Sequence, residues 1–270
     1  MKLKKRKTAL ITFGAVFLFL LPIGASAAGE PYLVSFFSRI LIYALAAVSL
    51  DLLIGYGGLV SLGHAAYVGV GAYVVGICFF HSAESEALFT WPFVFQGSEN
   101  GLFVLPLAVL ISALAALVIG SLCMRTKDLH FIMITLAFAQ MLYYFFVSLE
   151  KYGGDDGLSL YSRSAMPLID LGSDTQFYYL CLFLLTGFLF LAARMVKSRF
   201  GLVLRGGRDN ERRLNALGIH AFRYQLACFV IAGAGAGLAG ALMANQTEYV
   251  SPGLMHWTLS GELMVMVLLG

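Results

Sequence analysis

From Ser198 to Ile219 the sequence reads SRFGLVLRGGRDNERRLNALGI, a polar segment with five arginines between two long apolar runs, Phe177–Val196 and Tyr224–Ala244. The whole chain is 60% hydrophobic and only 12% charged, with a mean hydropathy of +0.84, which lies outside the range of soluble globular proteins. So charged a segment is not stable in hydrocarbon and must lie in water beside a membrane. The contrast between the segment and its flanking runs predicts an integral membrane protein.

The apolar runs each approach the ~20 residues that a helix needs to cross a hydrocarbon core of ~30 Å. We therefore predict an all-α fold, a polytopic membrane helical bundle, with residues 1–270 forming a single transmembrane domain. The last run reaches Gly270 without a polar exit, so we expect a truncated C-terminus. About eight transmembrane runs are seen: Thr8–Gly24, Leu33–Ile54, Leu59–Phe80, Leu102–Met124, Phe131–Leu149, Phe177–Val196, Tyr224–Ala244 and Leu259 to the end.

Residues 1–28 fit either a first transmembrane helix or a signal peptide. The basic start MKLKKRK precedes an apolar core and the small residues Ala25, Ser26 and Ala27. The core of Thr8–Gly24 is longer than the ~7 to 15 residues of a signal-peptide core, which favours an uncleaved helix.

The distribution of basic residues predicts the orientation of the chain. With the amino end inside, residues 1–7, 125–130 and 194–223 hold fifteen of the eighteen lysines and arginines. Basic residues concentrate on the cytoplasmic side of membrane proteins, so these three segments are predicted to be cytoplasmic. The net charge of +3 reflects this sidedness and does not indicate nucleic-acid binding.

The cysteines give no sign of metal or disulfide chemistry. All four lie within or at the end of apolar runs without CxxC spacing, and we interpret them as small hydrophobic residues. They are Cys78, Cys123, Cys181 and Cys228.

Four glycines within Gly55–Gly63 interrupt the apolar pattern. Glycine lowers helix stability by about 1 kcal/mol relative to alanine, so we expect an interrupted or re-entrant segment near residues 55–63. Transporters use such interruptions to direct helix amino ends at anionic substrate groups. A tight cytoplasmic turn between two ordinary spans remains the alternative.

Several blocks resemble LivM-type permeases, the membrane subunits of branched-chain amino-acid ABC importers. Arg208–Glu211 with Ala216–Ile219 resembles the "RENE…ALGI" coupling loop of that family, and Gly55–Tyr73 is similar to its "GYxGQxSLGHAAFFGIGAY" signature. Arg125–Gln140 resembles "RLRGIYFAIITLAFAE" more loosely, and Tyr152–Leu158 parallels the outer "TGGSDGL" segment, with Tyr152 as a departure.

The resemblance implies that residues 197–220 are a cytoplasmic coupling loop that docks on an ATPase. The family commonly has alanines where Arg213 and Leu214 stand, so we expect Glu211 and Arg213 to form charged contacts. An Arg213 that points to solvent or to lipid headgroups is the alternative. Leu214, Leu217 and Ile219 would then supply an apolar anchor. The residues assigned to this loop are Ser198, Arg199, Gly201, Arg205, Arg208, Asp209, Asn210, Glu211, Arg213, Leu214, Leu217, Gly218 and Ile219.

The glycine segment and its neighbours are the predicted substrate path. Asp51 and His64 are ionisable residues beside the break, although a local hydrogen-bonding role is an alternative for both. Thr135 is a possible polar contact, but hydroxyls in membrane helices often bond their own backbone. The assigned residues are Asp51, Gly55, Tyr56, Gly58, Ser61, Gly63, His64, Tyr73 and Thr135.

A third surface is predicted on the outer face, where a substrate-binding protein would dock. Glycine and aspartate clusters also form simple turns, and this alternative stays open. The assigned residues are Gly153, Gly154, Asp155, Asp156 and Gly157.

The resemblance implies a permease domain that translocates branched-chain amino acids without enzyme activity of its own. The stretch around Gly233 and Gly237 has helix-packing spacing but lacks the Lys-Ser/Thr ending of a nucleotide site. The implied partners are a LivH-type permease, two cytoplasmic ATPases that hydrolyse ATP, an extracytoplasmic binding protein and the lipid bilayer of the bacterial inner membrane. A urea or short-amide permease, a secondary transporter and a membrane enzyme are the alternatives.

The predicted orientation can be tested by labelling single cysteines from each side of the membrane. We expect Asn210→Cys to react only from the cytoplasm and Ser98→Cys only from outside. Labelling of residue 210 from outside would contradict both the orientation and the ATPase contact.

Overall fold

A computed structural model describes residues 14, 16–25, 30–84, 97–126, 128–166 and 170–270. Most of the assignment of residues 1–28 as a first helix or signal peptide lies outside these ranges. The helices are α1 (Val16–Ala25), α2 (Pro31–Asp51), a π-helix (Leu52–Gly57), α3 (His64–Ala83), α4 (Gly101–Cys123), α5 (Asp128–Val147), α6 (Asp174–Lys197), α7 (Arg199–Ala216), α8 (Ala221–Thr247) and α9 (Trp257–Leu269). Short 3₁₀ turns span Glu150–Tyr152 and Pro252–Met255, and two-residue strands β1 (Leu158–Ser159) and β2 (Tyr249–Val250) pair antiparallel.

The predicted all-α, polytopic bundle is confirmed. Among the described residues, six helices are long and apolar enough to cross a membrane, the first of them combining α2 with the π-helix as Tyr32–Gly57. The other two predicted runs contain shorter apolar helices, α1 and α9. The run predicted to start at Leu59 becomes helical only at His64.

Helix α8 occupies the centre of the bundle and packs against α2, α3 and α4. It crosses α3 where a Cβ atom on Gly71 would overlap the Gly237 carbonyl and one on Gly240 would overlap the Val68 carbonyl. The backbones approach closely because both helices carry glycine at the crossing. Gly233 of the predicted packing pair faces Ala116 of α4, so this small-residue face packs within the chain.

Apolar residues fill the interior, while the peripheral helices keep broad exposed faces. Helices α3 and α8 are largely buried, whereas α5 and α6 expose Met133, Phe183 and Phe190. This distribution suits helices that border lipid. All four cysteines are buried as free thiols, and the Cys228 thiol lies 3.4 Å from the Leu52 carbonyl oxygen.

Arg163 links the connecting segments at the β1–β2 end of the bundle. Its guanidinium donates to Asp174 Oδ1 at 2.7 Å and to the Leu171 carbonyl at 3.0 Å, and it lies 3.5 Å from Glu248 Oε1. Nearby, Asn245 Oδ1 accepts from the Ser164 amide at 2.8 Å. These contacts join the segment after β1 to the ends of α6 and α8.

The α3–α8 crossing should be sensitive to a single methyl group. We expect Gly71→Ala to destabilise the protein by about 1–3 kcal/mol, because the new Cβ meets the Gly237 backbone rather than a flexible side chain. Gly187→Ala in α6 is the matched control, since no atom lies within 4 Å of its added Cβ. The measurement is the midpoint of thermal unfolding in detergent, and equal midpoints for the two variants would contradict the packing.

Candidate coupling helix and helix break

The predicted coupling loop is mostly helical, with a kink at Asn210. The backbone of Asn210 is extended (φ −160°, ψ 94°) within α7. Its Oδ1 accepts from the Arg213 amide at 3.0 Å, the hydrogen bond of a helix N-cap. Residues 211–216 therefore form a separately capped final piece of α7, which we call the coupling helix.

A Schellman motif ends the coupling helix. Gly218 has φ +78°, its amide donates to the Asn215 carbonyl at 3.0 Å, and the Ile219 amide donates to the Leu214 carbonyl at 3.1 Å. Only glycine adopts this left-handed conformation at low cost, which explains the Leu217-Gly218-Ile219 pattern. Both ends of the coupling helix are thus determined by local sequence.

The side chains predicted to contact a partner differ in their solvent exposure. Leu217 is 72% exposed and Arg213 is also exposed, while Ile219 and Glu211 are partly buried. Leu214 is only 8% exposed in this conformation, and its predicted part in the apolar anchor stays a prediction. The kink at Asn210 turns Leu214 inward over Gly206 and Gly207, which leave room for it.

The first part of α7 follows α6 through a tight bend. Ser198 and Arg199 are exposed there, and a Cβ on Gly201 would overlap the Val196 carbonyl. Arg205 donates to the carbonyls of Gly201 and Val196, both at 3.3 Å. Asp209 and Asn210 are exposed at the kink.

The predicted interruption is present between the π-helix and α3, at residues 58–63, which we call the break. The helix stops at Gly57, Gly58 has φ +66°, and helical structure resumes at His64. His64 Nε2 lies 2.8 Å from Ser49 Oγ. Because Ser49 is eight residues before Gly57, α3 begins about 12 Å inside the bundle. The intervening residues therefore return into the bundle alongside α2.

The amino end of α3 is closed by its own chain. The Ala65 amide donates to Ser260 Oγ of α9 at 2.9 Å, and the Gly63 amide donates to Ser61 Oγ at 3.3 Å. His64 is fully buried and its Nδ1 has no hydrogen-bond partner among the described residues. Two amides near the start of α3 are thus satisfied within the chain, and the direction of this helix end toward a substrate carboxylate stays a prediction.

Gly63 brings the break against α5. A Cβ there would lie 2.5 Å from the Thr135 carbonyl oxygen, so the two backbones are in direct contact. The Thr135 hydroxyl donates to the Ile132 carbonyl at 2.9 Å, the backbone bond that was the alternative to a polar contact. Its proposed role in the substrate path stays a prediction.

Most of the predicted path residues surround the break, and one does not. Asp51 and Tyr56 are partly buried at the end of the first span, where Gly55 leaves space for the Asp51 carboxylate. Tyr73 lies nine residues into α3, about 13 Å from His64, with its ring 4.3 Å from that of Phe146. Tyr73 is therefore separate from the break.

Arg208 connects α7 directly to the break. Its Nη1 donates to the Gly55 carbonyl oxygen at 2.6 Å, and its side chain covers Gly58. Leu204 of the same helix lies over Gly57, 3.3 Å from the position of an added Cβ. Sequence reasoning missed this contact because no local pattern links residues 153 positions apart.

Beyond the Arg208 contact, a cavity of about 380 Å³ lies between α7 and the break. Its walls include Gly58 of the break and Asn210 of α7, with Met124, Thr126 and Asp128 at the α4–α5 turn. Two of the segments predicted to be cytoplasmic therefore lie at one end of the bundle, which we call the basic end.

The predicted docking loop lies at the opposite end. Gly153, Gly154 and Gly157 all have positive φ, and Asp155 and Asp156 are exposed between them. The loop leads into β1, and the hydroxyl of Tyr249 in β2 donates to the Asp156 carbonyl. Tyr152, the departure from the family pattern, has its hydroxyl 2.9 Å from His81 Nε2. Docking of a binding protein stays a prediction.

A bundle of membrane-length helices with an interrupted span, and a helix, α7, whose Arg208 and Leu204 contact that interruption, defines a multi-pass membrane permease. Among the described residues, no group of three histidine, cysteine or acidic side chains is placed to hold a metal ion. The chain belongs to the family "Branched-chain amino acid transport system / permease component", which matches residues 32–270.

Two curated relatives support this assignment. The chain is 24% identical over 282 aligned residues to the high-affinity branched-chain amino acid transport system permease protein LivM of Salmonella typhimurium, and 25% identical to LivM of Escherichia coli K12. Each alignment covers 94% of this chain and 63% of the relative, so the chain spans less than two thirds of their length. No solved structure matches it.

The contact between Gly63 and α5 predicts the effect of a larger side chain. We expect Gly63→Leu to abolish uptake while the complex still assembles, because it separates the break from Thr135 without changing charge. Gly187→Leu on the open face of α6 is the control, and Gly63→Ala should give an intermediate rate. Uptake and co-purification are measured on the same membranes. Normal uptake by assembled Gly63→Leu would mean that the segment is only a turn.

Proposed function

We propose that this chain is a permease subunit of an ABC importer in the bacterial inner membrane, translocating branched-chain amino acids. Two separate cytoplasmic ATPase subunits bind and hydrolyse ATP, and this chain carries no cofactor. A LivH-type permease completes the membrane path, and an extracytoplasmic protein delivers the substrate. The family description and the names of the two LivM relatives, which specify branched-chain amino acid transport, support the substrate class.

The observation that carries the proposal is the coupling helix together with the contact that the preceding part of α7 makes with the break. An element capped at both ends presents one orientation to a partner, and this one exposes a cation, Arg213, beside an apolar side chain, Leu217. A partly desolvated arginine next to an apolar anchor is a common centre of protein interfaces. An ATPase groove with an acidic rim would complement both groups.

A movement of the coupling helix is transmitted to the first span through the earlier part of α7. Arg208 and Leu204 contact Gly55, Gly58 and Gly57 at the end of the first span. When the ATPases approach each other on binding ATP, α7 displaces this segment, which shifts Gly63 relative to Thr135. The start of α3 then changes its packing, and the path opens on one side and closes on the other.

Two arginine variants separate docking on the ATPase from transmission into the membrane. Arg213→Glu should weaken co-purification of the ATPase and lower substrate-stimulated ATP hydrolysis by about ten-fold, as expected for an interfacial charge. Reversing an acidic groove residue of the ATPase to lysine should partly restore both. Arg208→Ala should leave the ATPase bound but reduce uptake per ATP hydrolysed, because it loses the bond to Gly55.

Arg194→Glu at the exposed end of α6 is the control for a charge change at the basic end outside the coupling helix. Unchanged co-purification and coupling in Arg213→Glu would refute the ATPase contact. Uptake per ATP at the native level in Arg208→Ala would refute the route through Gly55.

A further inference from the structure

Two charged side chains, Arg39 of α2 and Glu262 of α9, lie within apolar helices and outside every site described above. Arg39 is eight residues after the start of α2, about 12 Å along the helix. Glu262 is two residues after Ser260, whose hydroxyl caps α3 inside the bundle. Both side chains are exposed, and within the described part of the chain neither has a hydrogen bond or an ion pair.

The two charges share one face of the bundle, the seam between α2 and α9. Tyr43, one turn after Arg39, lines an apolar cleft there with Leu259 and Leu263. Arg39 lies one turn before Tyr43 on α2, and Glu262 lies between Leu259 and Leu263 on α9, so both charges flank this cleft. Aliphatic side chains, including Ile42 and Val68, form the rest of the cleft.

Lipid is a poor environment for this seam. Ionisable groups at membrane depth are costly in hydrocarbon and usually face water-filled cavities or other protein. Charges of both signs beside an aliphatic cleft match the chemistry of a zwitterion that carries an aliphatic side chain. Urea and short amides are uncharged and would require neither Arg39 nor Glu262.

We propose that the α2–α9 seam lines a water-filled part of the substrate path, in which Arg39 attracts the carboxylate of a zwitterionic amino acid and Glu262 holds its ammonium group. The inference rests on the proposed function and names residues that select the substrate. Glu262 lies nearer the basic end than Arg39, because it follows the residue that caps the start of α3, whereas Arg39 lies in the first half of α2. The two charges act on the substrate in succession.

Cysteine labelling in the assembled importer tests whether the α2–α9 seam is accessible to water. We expect Glu262→Cys to react with a water-soluble cationic thiosulfonate, because a thiol ionises only in water. Phe183→Cys, 72% exposed on α6, is the control for a lipid-facing position and should not react. Leucine-loaded binding protein with ATP and vanadate should slow labelling of residue 262 more than ligand-free binding protein does.

Uptake measurements test whether transport requires the negative charge of Glu262. Glu262→Gln should lower leucine uptake by about ten-fold, the effect of one lost charged contact, and Glu262→Asp should retain most of it. Absence of labelling at residue 262 in the complex, or equal uptake by Glu262→Gln and the native protein, would overturn the inference. Labelling of the isolated chain but not of the complex would mean that Glu262 contacts the partner permease instead.

Failure of the path assignment can be distinguished from failure of the proposed importer function. ATPase co-purification and leucine-stimulated ATP hydrolysis are measured on the same preparation as the labelling. If both are present while Glu262→Cys does not react, only the path assignment fails. If the native complex shows neither, the importer function itself fails.

Discussion

The close crossing of α3 and α8 is the constraint on which the rest of the structure depends. Gly71, Gly237 and Gly240 let the two backbones meet without side chains between them, so the height of α3 in the bundle is fixed by α8. With that height fixed, α3 begins beside Ser49, well inside the end of the first span. The short segment after Gly57 must then return into the bundle in irregular conformation, and its polar groups need partners from the surrounding chain.

Those partners join the interrupted segment to a helix on either side of it. Arg208 bonds the Gly55 carbonyl just before the break, and Ser260 of α9 caps Ala65 just after it. The interrupted segment is thus held between the helix that leads to the proposed ATPase contact and the helix that carries Glu262. Ser260 bonds the first turn of α3 directly, whereas Arg208 is connected to it through the residues from Gly55 to Gly63.

The sequence predicts the helices well because each span must bury about 20 apolar residues, and it predicts the break because glycines cluster at Gly55–Gly63. It does not predict where α3 begins, since that height depends on Gly237 and Ser260, which are distant in the chain. The inward turn of Leu214 follows from the kink at Asn210, whose cap is visible only once Arg213 is placed. Arg39 and Glu262 are visible as isolated charges, but their common face depends on how α2 packs on α9.

The central claim is that α7 and the end of the first span move as one unit during transport. A disulfide between Gly57→Cys and Leu204→Cys tests it, because these positions are in contact and the four native cysteines are buried. The measurement is ATP-driven leucine uptake by the reconstituted importer before and after reduction of the bond. The account predicts equal uptake in the two states, since the bond joins parts that do not separate. Uptake that is absent in the oxidised importer and returns on reduction would contradict it.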